Sequence, residues 1–137
     1  MDAQRSMAAI VAGMFIVTFV VLVVVMAAVA SRASTGALAR NQWAGIRSPS
    51  TMRSDQAWVA AHRAATRLTP LYVLWAAVAD AALVLAILRA WSIGAVIAIA
   101  VAAFAVFFVV AMCTAALASR AAKAVDNDTE GEASRSS

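Results

Sequence analysis

The sequence predicts an all-α integral membrane protein with three transmembrane helices and a short amphipathic interfacial helix in the loop between spans 1 and 2. Three observations carry this. Of the 137 residues, 64% are hydrophobic and 13% charged, far from the roughly 25% charge of a soluble domain. The apolar residues fall into three runs, each close to the ~20 residues that cross a ~30 Å hydrocarbon core. Most residues capable of specific polar chemistry are gathered between the first two runs.

The first span is expected over about 7–30, apolar apart from Gly13 and Thr18. Ala28-Val29-Ala30 before Ser31 resembles a signal-peptidase site, but the run exceeds the ~7–15 residues of an ordinary signal-peptide core, so an uncleaved anchor is expected. Residues 31–70 form a loop with Arg32, Arg40, Arg47, Arg53, Arg63 and Arg67 against one acid, Asp55. Its second half should be helical, with Ser54 as N-cap and Asp55 in the first turn, favourable to the helix dipole. At about 100° per residue, Trp58, Ala61, Ala65 and Leu68 share one face and Gln56, Arg63 and Arg67 the other. That pattern suits a helix lying at lipid headgroups. Pro70 ends this helix and can begin the next.

The second span is expected over about 71–88, interrupted by Asp80, and the third over about 93–118 after a tight turn at Trp91, Ser92 and Gly94. Residues 1–123 thus form one membrane domain. Residues 124–137 are acidic, then Ser-rich, and are expected to be a disordered tail. Arg5 and Arg89 flank one side, against the six loop arginines, Arg120 and Lys123 on the other. The positive-inside rule then puts the N-terminus outside and the loop and C-terminus in the cytoplasm. Trp43, Trp58, Tyr72 and Trp75 near the inner boundary and Trp91 near the outer would form aromatic belts.

The formal charge of +4 is read as topological and headgroup-binding, with no nucleic-acid partner. Cys113 is the single cysteine and His62 the single histidine, so neither an internal disulfide nor a Cys/His metal cluster is expected. Paired carboxylates, a nucleophile with its base and a phosphate loop are all missing from the sequence. An enzyme is not expected, nor is a cofactor.

The loop reads N-x-x-x-G-I-R-S-P-x-T-x-x-S-D-x-x-W-x-x-x-H-R from Asn41 to Arg63. Gly45 suits a positive φ or a close backbone approach, and Pro49 stiffens a turn with Thr51. Arg47 can bond a carboxylate or a lipid phosphate bidentately, and Asp55 is its expected partner. The pair serves either as a clamp on the loop or as a ligand contact. Trp58 is expected to anchor at the interface. His62, four residues on, shares its face and either packs on Trp58 with a backbone bond or senses pH.

These residues at this spacing, between two apolar spans, resemble the signature of the SdpI family, bacterial membrane proteins named after an immunity factor against a secreted toxic peptide. The resemblance covers residues 41–63. It implies a bacterial plasma-membrane location and a non-catalytic role in protecting the envelope against, or binding, a membrane-active peptide.

Asp80 lies about ten residues into the second span, near mid-membrane, where a lone carboxylate costs on the order of a few kcal/mol. Thr18 is at similar depth in the first span. Asp80 can serve as a carboxyl hydrogen-bonded within the bundle, as a link to another membrane subunit, or as a proton or cation site. These alternatives correspond to a second reading, an accessory subunit of a larger membrane complex, and a third, a small proton-coupled transporter.

Overall fold

A computed structural model describes residues 3–135. Four helices follow in order: α1 (Ala3–Ser34), α2 (Asp55–Thr66), α3 (Thr69–Leu88) and α4 (Ile93–Arg135), with no strand among the described residues. Among the described residues, three segments are long and apolar enough to cross a bilayer: Ala3–Ser34, Thr69–Leu88 and Ile93–Val125. At ~1.5 Å per residue, α1 and α4 each exceed the ~30 Å that a crossing requires.

The chain divides into two compact units, both of which receive part of α1 and part of α4. The first takes α1 as far as Val24 together with Pro70–Val110. Ala8 and Ala12 of α1, Leu83 and Ala86 of α3, and Val96 and Ala100 of α4 form its buried core, with Phe15, Ile87 and Ile99 packed around them. Alanine at these crossings lets the helix backbones approach, and close contact is what holds helices together where lipid supplies no hydrophobic drive. A cluster of aromatic rings extends the core: Phe19 stacks on Phe104 with centroids 4.3 Å apart, and Tyr72 meets Phe107 edge-on at 5.2 Å. Tyr72 is therefore buried in the unit instead of joining a lipid-facing belt. Trp75 donates its indole N–H to the Ala103 carbonyl at 3.1 Å.

The turn from α3 to α4 is closed by backbone geometry at Ala90, which has φ +53°. Ala90 N–H donates to the Ile87 carbonyl and Trp91 N–H to that of Ala86, the paired bonds of a Schellman helix end. Ser92 then caps α4, its hydroxyl accepting from Ala95 N–H at 3.3 Å. Gly94 lies inside α4, outside the turn proper.

Two polar groups of this unit lie within the apolar helices. Thr18 is exposed and donates to the Met14 carbonyl of its own helix at 2.7 Å, so it is not a partner for Asp80. Among the described residues, one carboxylate oxygen of Asp80 is buried with no hydrogen-bond partner.

The second unit takes Val25–Thr69 and the chain from Ala111 onward. Its core sets Ala57 and Ala61 of α2 against Ala118 and Ala122 of α4, with Ile46 of the loop packed on them. Here α4 departs from the sequence reading: it stays helical through Arg135, across most of the stretch expected to be a disordered tail. Ala121, Ala122 and Ala124 are strong helix formers, no proline intervenes, and Ala122 is fixed by its packing on α2. Ser136 and Ser137 of that stretch lie outside the described residues.

Candidate functional site: the folded loop between the first two spans

Residues 35–54 contain no regular element, so their backbone groups must be satisfied by side chains and turns. The motif residues do this work. Asn41 accepts from the N–H groups of Trp43 and Ala44 at 2.9 and 2.8 Å, while its amide donates to the Ala39 carbonyl. The Ser48-Pro49-Ser50-Thr51 turn closes with Met52 N–H on the Ser48 carbonyl. Thr51, fully buried, is the turn's inner brace: its hydroxyl accepts from Ser48 N–H at 2.8 Å and lies 2.8 Å from the Ile46 carbonyl, to which it donates. Ser54 caps α2 by accepting from Ala57 N–H at 3.0 Å.

At the centre lies a three-residue lock made of Gly45, Trp58 and His62. The sequence expectation that Trp58 anchors at the membrane interface is overturned: it is 1% exposed, and its indole N–H donates to the Leu38 carbonyl at 3.0 Å. The amphipathic face of α2 is turned onto the loop and α4, so the ring is buried by protein and not by lipid. His62, equally buried, packs on Trp58 with ring centroids 4.2 Å apart. Its Nε2 accepts from Ile46 N–H at 3.0 Å. The proton of a neutral imidazole is then on Nδ1, 2.8 Å from the Trp58 carbonyl to which it donates. Burial holds His62 below the ordinary histidine value, against a smaller opposing pull from that carbonyl bond.

Gly45 is where the loop backbone passes over these rings. It has φ +103°, and a Cβ built there would stand 2.7 Å from His62 Nε2 and 2.7 Å from Trp58 Cη2. Both reasons for glycine, positive φ and close approach, apply at this position.

The cations are distributed differently from the sequence reading. Asp55 pairs with Arg40 at 3.4 Å, not with Arg47. Arg40 also donates to the Met52 carbonyl, joining the two ends of the loop. Arg47 donates to the Gln42 carbonyl beside Trp43. Arg63 reaches back to the Ser34 carbonyl at the end of α1 at 3.1 Å. The loop is tied to α4 as well: the Ser119 hydroxyl donates to that of Ser48 at 3.0 Å. Arg40, Leu38, Ser48 and Ser119 escaped the sequence reading because their partners lie 12 to 71 residues away, beyond any local period.

An open groove of ≈ 470 Å³ runs along the outer face of α2, lined by Asp55, Gln56, Val59, Ala60, Arg63 and Val125. The motif residues all bond within the loop and its flanking helices, and they differ in exposure. Thr51, Trp58 and His62 are buried and Ser54 is half-buried; Gly45, Arg47, Asp55 and Arg63 are exposed, and Asp55 and Arg63 line the groove. Among the described residues no cluster of His, Cys, Asp or Glu is placed to hold a metal ion.

A family model described as the SdpI/YfhL protein family matches residues 37–117, more than half of the chain, taking in the folded loop, α2, α3 and most of the apolar part of α4. No curated protein and no solved structure matches the chain.

Proposed function

The chain belongs to the SdpI/YfhL protein family, a multi-pass membrane protein with three spans, and on that footing we propose that it is a non-catalytic protein of a bacterial plasma membrane. In this reading it binds a membrane-active peptide and so protects the envelope. The loop and C-terminus face the cytoplasm, as the excess of arginine in residues 31–70 favours. The observation that carries the non-catalytic part is the state of His62. It is the chain's single histidine, and both ring nitrogens are engaged with backbone groups, Nε2 with Ile46 and Nδ1 with Trp58. A histidine acting as general base must have a free nitrogen within reach of the proton it removes. The exposed groove beside Asp55 and Arg63 supports recognition at the surface of the loop.

Deleting the gene and challenging cells with a panel of membrane-permeabilising peptides tests this reading. Sensitivity should rise and be restored by the parent chain. Unchanged sensitivity, with the protein shown to be present in the parent strain, counts decisively against protection.

A second reading, an accessory subunit of a larger membrane complex, is favoured by Asp80. Asp80 is only half-buried within an apolar span, and a carboxylate so placed is a group for which a partner on another subunit would compensate. Purification in mild detergent should then recover a stoichiometric partner, and Asp80→Asn or Asp80→Leu should change that recovery. A chain that purifies alone from native membranes opposes it.

A further inference from the structure

We propose that the turn carrying Trp43 and Arg47 is a docking surface for anionic phospholipid, seated at the headgroup level of the chain's own bilayer. The starting observation is Trp43, which is 92% exposed. An exposed indole on a floppy loop would mean little, but this one is held out by structure. The Asn41 side chain caps the Trp43 and Ala44 N–H groups, and the Arg47 guanidinium bonds the carbonyl of Gln42, the residue before Trp43. A cation and an amphipathic ring are thereby fixed next to each other.

The depth of this turn follows from its tie to α4. Ser48, one residue after Arg47, is bonded to Ser119. Ser119 is the first polar residue after the apolar stretch Ala115-Ala116-Leu117-Ala118, and Arg120 follows it. That change from apolar to polar marks where a spanning helix leaves the hydrocarbon. The Ala57 and Ala61 contacts on Ala118 and Ala122 hold α2 at the same level. The turn therefore sits where tryptophan is favoured in membrane proteins, at the boundary between acyl chains and headgroups.

Charge complementarity selects the lipid. Arg47, Arg63, Arg67, Arg120 and Lys123 are all exposed in this unit, while Asp55 is paired with Arg40. An excess of exposed cations in the same unit as this indole matches a phospholipid with net negative charge, each cation near the surface favouring it about fivefold. This inference goes beyond the protective reading, and its test requires no toxin peptide.

The purified chain is reconstituted into phosphatidylcholine vesicles carrying either shallow-brominated phosphatidylglycerol or the same fraction of shallow-brominated phosphatidylcholine. Subtracting the emission of Trp43→Phe from that of the parent isolates Trp43 from the other three tryptophans. The expected difference spectrum is blue-shifted and quenched, more strongly by the anionic lipid. Arg47→Gln should reduce that preference about fivefold while protection of the Ile46 amide, which reports the intact loop, stays at the parent level. A red-shifted, unquenched Trp43 overturns the proposal and places the turn in water or on another protein. Equal quenching by the two lipids, or an unchanged preference in a folded Arg47→Gln, overturns the choice of an anionic lipid.

Discussion

Replacing Gly45 with alanine should break the lock between the loop and α2. Two separate costs arise. The position has φ +103°, a region L residues rarely adopt, at a cost on the order of 1–3 kcal/mol. The new Cβ would also lie 2.7 Å from His62 Nε2 and from Trp58 Cη2. Neither ring can yield by swinging a flexible end: His62 is held by Ile46 and Trp58, and Trp58 by Leu38. Overpacking of this kind adds about 1–3 kcal/mol, and if His62 moves away, the Ile46 bond is lost as well, for about 1 kcal/mol or more. Gly36→Ala supplies the control. Gly36 has φ +79° but no atom within 4 Å of its built Cβ, so it bears the backbone cost alone. Hydrogen exchange at the Ile46 amide, measured by mass spectrometry in detergent or vesicles, reads local opening of the lock. Gly45→Ala should accelerate it on the order of 100-fold, at about 1.4 kcal/mol per tenfold, and Gly36→Ala by about tenfold or less, the share of backbone strain alone. Equal effects of the two substitutions would refute the close-approach argument and leave only backbone strain.

Acid should open the same lock. Because burial holds folded His62 below its unfolded value near 6.5, the neutral imidazole stabilises the loop fully above that value, and the contribution is lost as pH falls through the folded one. Ile46 exchange, corrected for its intrinsic pH dependence, should therefore accelerate on acidification below about pH 6.5, with the step absent in His62→Gln; a flat profile in the parent argues against Nε2 as the acceptor. Trp58→Phe keeps the ring but strands the Leu38 carbonyl, and should lower stability by about 1 kcal/mol in denaturant titration, whereas Trp58→Ala should cost about 3–5 kcal/mol. Ala90→Gly should raise the melting temperature, because Ala90 occupies φ +53° at the end of α3 and relief of that conformation is worth about 1 kcal/mol; a lowered melting temperature would contradict the left-handed helix end. Ser54→Ala should destabilise α2 by about 1 kcal/mol through loss of the bond to Ala57 N–H, visible as faster exchange in its first turn.

The spans and α2 were legible in the sequence because their signals are local. Runs of apolar residues near 20 long report a bilayer crossing whatever they pack against, and the 3.6-residue period from Trp58 to Ala65, with Ser54 ahead of it, reports a capped helix by itself. The family signature was legible for a related reason: Gly45, Thr51, Trp58 and His62 have their constraints within about twenty residues of one another, so their spacing is recorded in the chain. What those residues do was decided only by the tertiary structure. Trp58 is as amphipathic as any interfacial tryptophan, and only the passage of Leu38 and Gly45 over it makes it a buried post. Arg47 and Arg40 are equal by charge as partners for Asp55, and in the folded loop the acid pairs with Arg40 while Arg47 bonds the Gln42 carbonyl. Ser48 meets Ser119 across 71 residues, a contact no periodicity encodes. The sequence by itself determined which segments enter the membrane and where the polar chemistry gathers, since burial of apolar side chains in lipid depends on composition alone. Only the folded chain decided which polar groups are spent on holding that gathering together and which remain at its surface, because that depends on donors and acceptors brought together from distant parts of the chain.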